Sequence, residues 1–511
     1  MKKKVVLIRP PHLLPSAAVT AQHGVPSLAL AYLAGALRKA GYPVQCVDAV
    51  GEALGVSHLL PETGLVLSGL QITEILKNIP ADVEVIGVSC GFSNDWLYVH
   101  PLLSELNERF PKCPIVVGGE HVSADYARIL TSCPFITACI LGEGEQTLVE
   151  LMAAFSEDRP LAEGKALAKV RGLAYLDGTG VRKTGARPRM AELDTLAWPA
   201  WDLLPLEKYL DRGYGMAVQG QRSMPMLATR GCPHRCTFCS VPNMWNSEWH
   251  CRNPQDIAAE AESYKIRYGI THLEFYDMSP LVRKDWLEAF CQALGKLQLS
   301  WNFPSGLRAE LLDEQLLSAM KNSGCYKLTL ALETSSARLN RELKKHSSPS
   351  VLRRVIREAC RQKLITKVNL IFGLPGQKVS DILLDYLNLT VFAWGGLHDV
   401  ACFAFVPYPG SALANSLLSQ QRAGSEADYE VFLARNVYNN TAQMKSWSEH
   451  IPDQAMKFLT LGGMAYFYFL QFLFRPYRFF WTLRRIAGNK PESMLELALT
   501  GRIWRTIPGQ K

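Results

Sequence analysis

Short apolar runs alternate with helix-length segments along most of this chain, and the alternation breaks once, at the Pro/Trp-rich stretch Leu196-Ala-Trp-Pro-Ala-Trp-Asp-Leu-Leu-Pro205. Strands separated by helices pair in parallel, because a parallel neighbour needs a crossover of about a dozen residues or more. The chain therefore reads as α/β, with two successive parallel-sheet units. Prolines disfavour long regular structure between them, and Trp198 and Trp201 are expected to anchor the connector in the cleft. At 511 residues the chain is long enough for two or three cores.

In the first unit, strands are expected at 4–8, 44–47, 85–89, 115–117 and 138–141. A helix spans 27–40, capped by Ser27 and stopped at Gly41. Ligands of an open parallel sheet bind beyond the carboxyl ends of its strands, which here carry the loops 9–16, 90–96 and 118–121. A hairpin follows over 167–184, turning at Asp177-Gly-Thr-Gly180. The implied boundaries are 1–155 for a Rossmann-like domain, 156–223 for hairpin and linker, 224–415 for the second domain and 416–511 for a helical extension.

The second unit repeats the strand–helix alternation six times, with strands expected at 226–229, 272–276, 300–303, 327–332, 366–372 and 399–405. Six repeats predict an open, partial (β/α)6 barrel with functional groups at the carboxyl ends of its strands. Directly after the first strand stands Arg230-Gly-Cys-Pro-His-Arg-Cys-Thr-Phe-Cys-Ser240, three cysteines at spacing C-x3-C-x2-C. Three thiolates so close in sequence can converge on one soft metal. A [4Fe-4S] cluster held by three cysteines keeps one iron open for a substrate or cofactor, and zinc completed by His234 or His250 also fits the spacing. The remaining cysteines show no second such spacing and read as buried small side chains.

The loops of the first unit resemble those of the cobalamin-binding domain of B12 enzymes. In that family a serine after the third strand and a Gly-Gly after the fourth make room for the corrin's nucleotide tail. Ser89-Cys-Gly91 and, after 26 residues, Gly118-Gly119 match. The resemblance assigns cofactor contacts to Ser89, Gly118, Gly119 and His121, and covers the lower corrin face with the loop that holds Asn94 and Trp96. The Asp-x-His-x-x-Gly motif that supplies a histidine to cobalt in one branch is absent, and Arg9-Pro-Pro-His12 stands there instead. The resemblance thus implies a cobalamin with no protein histidine on cobalt. Gly142-Glu-Gly-Glu145 matches a segment that recurs in the same family, and Glu143 is expected beside the cofactor, helping to close this domain onto the next.

The second unit resembles the radical S-adenosylmethionine (SAM) superfamily. Cys232, Cys236 and Cys239, with Phe238 in the aromatic position before the last, match its cluster motif, and the resemblance assigns them a [4Fe-4S] cluster. It places SAM contacts at later strand ends: Asp277 for the methionine ammonium, Arg308 after the third strand and Glu333 at the end of the fourth. A carboxylate ending an apolar strand is costly to bury without a partner, which favours a functional Glu333; the structural alternative is an ion pair, with Arg308 as a candidate. Gly373 and Pro375 lie along the adenine, and Tyr408, in Phe405-Val-Pro-Tyr-Pro-Gly410, stands near substrate, as cavity wall or as turn packing.

Together the two resemblances imply a class B, cobalamin-dependent radical SAM enzyme. In that family SAM is cleaved to a 5'-deoxyadenosyl radical, which takes hydrogen from an unactivated carbon, and in most members a methyl then passes from methylcobalamin to that carbon. A C-methyltransferase is the leading expectation. An oxidative cyclase or ring-rearranging enzyme of the anaerobic porphyrin-ester cyclase kind is the alternative, and a cobalamin sensor with a structural cluster is a third.

Net charge is +8 with basic residues dispersed, so no nucleic-acid partner is expected. Four apolar residues after Met-Lys-Lys-Lys are too few for a secretory signal core, and thirteen scattered cysteines fit a reducing cytoplasm. The implied partners are a small-molecule substrate, hydrophobic in one reading, and a reductant such as flavodoxin or ferredoxin. The apolar stretch 459–481 is broken by Gln471, Arg475, Pro476 and Arg478. Its uncharged part falls short of the roughly 20 residues that span a bilayer. It reads either as an interfacial helix in peripheral contact with membrane or a greasy substrate, or as a helix lying over the barrel or over the cleft between domains.

Overall fold

The computed structural model describes residues 2–18, 24–61, 63–156, 166–212, 222–488 and 491–499. Parts of the expected linker (157–165 and 213–221) and the end of the expected extension (500–511) lie outside those residues.

The N-terminal part supplies β1 (Val5–Arg9), β2 (His12–Pro15), β3 (Val44–Asp48), β4 (Ser57–Leu60), β5 (Leu65–Ser68), β6 (Val85–Ser89), β7 (Ile115–Gly118), β8 (Ala138–Ile140), β9 (Leu173–Asp177) and β10 (Gly180–Lys183). A parallel sheet runs in the order β3-β1-β6-β7-β8. Every residue of β1 is buried, as a central parallel strand covered on both faces requires. Ser27 caps the helix Leu28–Lys39 by accepting a hydrogen bond from the Leu30 N–H.

Two expectations change here. The stretch 9–16 is not all loop: β2 joins β5 and β4 in a small antiparallel sheet, because Leu13 packs into a cluster with Leu65 and Leu67. The hairpin is no linker either. Its strand β9 pairs antiparallel with β8, and Leu173 and Tyr175 enter the common core, so β9 and β10 extend the first sheet.

The second domain supplies β11 (Ser223–Met226), β12 (Thr229–Gly231), β13 (Trp249–Cys251), β14 (His272–Phe275), β15 (Ser300–Leu307), β16 (Cys325–Glu333), β17 (Ile365–Phe372) and β18 (Asp399–Ala404). Six of them form one parallel sheet in the order β11-β14-β15-β16-β17-β18, whose end strands do not pair with each other, so the barrel is open. The first barrel strand lies earlier than expected. After Met226 the chain leaves the barrel, and Thr229–Gly231 pairs instead with β13.

One hydrophobic cluster runs through both domains, from Val5 and Ala31 by way of Trp201 to Tyr264 and Met224. The Ala200 N–H donates to the Ala31 carbonyl at 2.9 Å, holding the connector on the helix Leu28–Lys39. Trp201 is buried and Trp198 is exposed, so only one of the two tryptophans anchors the connector. The C-terminal extension reaches back to the first domain: the helix Glu426–Asn436 packs on β2, and the Arg435 Nε donates to the Thr63 carbonyl at 3.0 Å. The helix Asp453–Phe474 lies against the helix Val379–Gly395 and β18.

Of the two glycines after β7, only Gly119 is demanded by the backbone. Its φ is 129°, and a Cβ there would fall 2.3 Å from the Cys90 carbonyl oxygen, whereas a Cβ on Gly118 would meet Ile140 at an ordinary 3.5 Å. Gly119→Ala is expected to lower stability by about 3 kcal/mol, with Gly118→Ala within about 0.5 kcal/mol of the native chain. Denaturant unfolding of both variants checks this, and equal losses would show that the distinction is wrong.

Candidate active-site cleft

The carboxyl edge of the first sheet faces the entry to the barrel across a cavity of about 420 Å³ with mostly apolar walls. Arg9 and His12 after β1, Ser89 and Gly91 at β6, Gly118 and Gly119 at β7, and Gly142 after β8 form one wall. Thr229, Arg230 and Trp245 stand opposite, with Tyr276 and Met278 after β14. A Cβ on Gly91 would meet nothing within 4 Å, and Ser89 adds only a hydroxymethyl. The wall thus leaves bare backbone where a large cofactor's tail would lie, and its residues suit a corrin.

Of the contacts expected for that cofactor, Ser89, Gly118, Gly119 and Glu143 line the cleft, and Asn94, Trp96 and His121 do not. The turn Ser93–Asp95 coils into the helix Trp96–Arg109 and carries Asn94 and Trp96 into the protein, while His121 is buried near the start of the helix Glu120–Ser132. The Asn94 amide donates to the Leu13 carbonyl at 3.0 Å, and Trp96 is buried in the core. His121 is buried against Trp96 with Nδ1 3.0 Å from the Ser93 hydroxyl. Burial, then the charge of Arg128, depresses its pKa to about 3, so it stays neutral. Phe92 and Asp95 take their place on the wall, and Asp95 accepts from His12 Nδ1 at 2.9 Å.

The two domains are joined by buried ion pairs. Glu143 pairs with Arg189 at 2.8 Å and with Arg230 at 3.2 Å, and Glu145 pairs with Arg230 at 2.6 Å. With both carboxylate oxygens engaged, Glu143 works as a clamp more than as a cofactor contact. Arg230 and Arg189 went unassigned in the sequence, although Arg230 stands two residues before Cys232. A buried arginine beside a metal-type motif is a usable signal once a buried carboxylate is known to face it.

The cysteine loop follows β12. Cys232, Cys236 and Cys239 are half-buried, and none of them lines the cleft. The Cys239 thiol is pushed up to about 12 by burial and by the neighbouring thiols Cys236 and Cys232. Burial also raises Cys236, against the opposing charges of Lys345 and Arg308. The three sulfurs therefore feel one another, although among the described residues no three such side chains are closed onto a common point. As a donor set, three soft thiols on one loop beside cationic Lys345 and Arg308 fit an iron–sulfur cluster, and binding would release their protons. The Cys236 Sγ lies 3.8 Å from the Lys344 carbonyl, and the Thr237 N–H donates to the Leu343 carbonyl at 3.0 Å, so residues 343–345 back the loop. Phe238 packs beside Leu343, Phe405 and Trp447.

At the strand ends, Glu333 and Arg308 stand beside this loop. Glu333 has a φ of 66°, past a register shift in β16, and its carboxylate pairs with Lys345 at 3.1 Å. Its partner is thus Lys345, not Arg308, whose guanidinium donates to the Lys345 carbonyl. Such strain in a non-glycine residue gathers at functional sites. Asp277 is used differently from the expectation. It is fully buried and accepts from the N–H groups of Ala228 and Thr229 and from the Thr229 hydroxyl, so it orients β12 and is closed to a ligand. Gly373 and Pro375 form the turn after β17, against which the extension packs, with the Trp447 N–H donating to the Gly373 carbonyl at 2.9 Å. Tyr408 lies after β18. Its ring is partly exposed, and Glu120 stands near its phenol. Glu120 also accepts from the Ser240 hydroxyl at 2.5 Å, so first domain, cysteine loop and β18 loop meet there.

Residues 16–152 match the model of the B12 binding domain, and residues 226–386 match that of the Radical SAM superfamily. The chain is 28% identical over 424 residues to an uncharacterized methyltransferase of Pyrococcus horikoshii, covering 81% of this chain and 84% of that one. It is 26% identical over 398 residues to the anaerobic magnesium-protoporphyrin IX monomethyl ester cyclase of Cereibacter sphaeroides, covering 76% of this chain and 60% of that protein's length. The fold resembles that of the radical S-adenosylmethionine methyltransferase TsrM from Kitasatospora setae, solved with cobalamin and a [4Fe-4S] cluster, with a TM-score of 0.64, 16% identity, and 92% and 91% of the two chains covered.

Two outcomes follow from this geometry. Because the cysteines stand outside the cleft, Cys236→Ala is expected to abolish iron–sulfur loading while corrin binding persists, read from the visible spectrum of the reconstituted protein; joint loss of both would show that the sites are not separate. Burial, opposed by hydrogen bonds from Thr229, raises the Asp277 pKa to about 7. In the unfolded chain it is about 3.9. Between those values the folded chain keeps a proton that the unfolded chain has released, so this carboxyl's contribution to stability falls as pH rises from about 4 to 7. The stability advantage of the native chain over Asp277→Asn should therefore shrink from pH 5 to pH 8 in denaturant titrations, and a constant or growing advantage would contradict the assignment.

Proposed function

We propose that this chain, which belongs to the cobalamin-dependent radical SAM enzymes and takes a [4Fe-4S] cluster, SAM and cobalamin, is a methyltransferase acting on an unactivated carbon of a small molecule. The observation that carries the reading is the shared cleft: the corrin-type edge of the first sheet and the strands leading to the cysteine loop face one cavity, and Arg230 ties the two walls together. A corrin in this cleft, with a cluster and SAM at the cysteine loop beyond it, would supply a carbon-centred radical and a methyl group, the pair that methylation of a carbon without a lone pair requires.

The chain's own residues bind, orient and exclude water. Cys232, Cys236 and Cys239 are the cluster ligands, with residues 343–345 behind them. Glu333 and Arg308 are the polar groups for SAM, held beside the cysteine loop. Ser89, Gly118 and Gly119 receive the corrin. Apolar walls keep water from a reactive radical, and Tyr408 forms the substrate side near Glu120. Electrons come from a small reductant of the flavodoxin or ferredoxin type.

The second reading keeps the cofactors and omits methyl transfer. It is an oxidative cyclisation, favoured by the 26% identity to the Cereibacter sphaeroides cyclase. Incubation with SAM labelled in its methyl group separates the two. Methylation predicts label in the product together with 5'-deoxyadenosine, and deoxyadenosine with an altered but unlabelled product would overturn it.

A further inference from the structure

Among the described residues, thirteen of the twenty-three exposed large hydrophobic side chains lie on three helices of one region, Val379–Gly395, Asp453–Phe474 and Pro476–Ala487. The helices form one body. Tyr386 stacks on Tyr466 at 5.5 Å, Trp394 meets Phe474 edge-on at 5.2 Å, and Phe472 meets Phe479 at 5.5 Å. Solvent-facing positions of a surface helix are ordinarily polar. Here the outer stripe of Asp453–Phe474 reads Phe458, Ala465, Phe469 and Leu473, and that of Val379–Gly395 reads Val379, Leu383, Leu387 and Trp394. Phe480 and Trp481, 66% and 58% exposed, continue the surface on the third helix.

Charge decides what such a surface fits. Between Asp453 and Glu492 the sequence has no acidic residue and six basic ones. Arg484 is exposed at the edge of the aromatic helix, and the Arg357 side chain, also exposed, runs past Gly395 beside Trp394. An aromatic face with a basic border matches the boundary between headgroups and acyl chains of an anionic bilayer. A twofold contact between copies sets a patch against itself, which here brings arginine against arginine. Spanning is a different matter: no helix of the described residues is long and apolar enough to cross a membrane.

We propose that this face seats the protein on the surface of a membrane containing anionic lipid, with Phe469, Phe480 and Trp481 entering the boundary and Arg484 and Arg357 on the headgroups. The inference stands independently of the reaction proposed above.

Flotation of the full chain with vesicles tests it. Vesicles of phosphatidylcholine with phosphatidylglycerol should carry the protein at low ionic strength, and binding should fall several-fold at high salt or with phosphatidylcholine alone. The double variant Phe480→Glu/Trp481→Glu should lose about tenfold or more in vesicle partition, and Arg484→Glu should lose most of the dependence on phosphatidylglycerol. Both should keep the native circular dichroism and cofactor content, because these side chains are exposed. The proposal is overturned by vesicle binding that ignores these substitutions. It is equally overturned by absence of vesicle binding, whether the chain is monomeric or forms a dimer that Phe480→Glu/Trp481→Glu dissociates.

Discussion

The arrangement of this molecule depends on the buried guanidinium of Arg230. It is shared by Glu143 and Glu145 of the first domain and lies over the Tyr32 ring at 5.1 Å. Burial works against its charge, and the two carboxylates more than restore it. Parting the domains would strand three buried charges, and removing one partner of such a set costs on the order of 3–5 kcal/mol. The same residue stands two positions before Cys232. The contact that fixes the domain interface therefore also fixes the root of the cysteine loop, and the first-domain wall of the cleft and that loop are held in one frame.

Two carboxylates at strand ends show how that frame divides structural from chemical roles. Asp277 follows β14 within reach of two N–H groups and a hydroxyl of Ala228 and Thr229, and is consumed by them. Glu333 ends β16 after a register shift, at positive φ, so its side chain is turned out of the strand pattern towards Lys345. Both sit after apolar strands in the sequence. What separates them is the neighbour each meets, and an exchangeable ion pair beside the cysteine loop offers a ligand more than a carboxylate locked by backbone donors.

Much of this was legible in the sequence. Apolar periodicity located the strands of both sheets to within a few residues, because a parallel strand buried on both faces has to be apolar along its length. Cysteine spacing marked the loop after β12 as a metal-type loop, and the resemblance carried by Ser89 and Gly118-Gly119 marked residues that line the cleft. Pairings between distant segments were not legible. Nothing local in 173–183 shows that β9 will lie on β8, and nothing local in 93–95 shows that the helix Glu426–Asn436 will pack on that turn or that Asn94 will bond to Leu13. Lys345 was missed for the same reason: its role comes from standing beside Glu333 in space, twelve residues away along the chain.

The C-terminal extension carries the same division between its two sides. Inward, it is tied by specific bonds: the Tyr386 hydroxyl donates to the Leu459 carbonyl at 2.7 Å, and Arg475 donates to the carbonyls of Ala393 and Trp394 at 2.7 and 2.9 Å, capping the helix Val379–Gly395. Met456 and the Trp447 N–H close on Gly373 after β17, so the extension also shapes the barrel rim. A helix tied this firmly on one side cannot rotate to hide the other. Its outer aromatic stripe is therefore a fixed feature of the surface, presented by the elements that hold the rim of the active-site barrel in place.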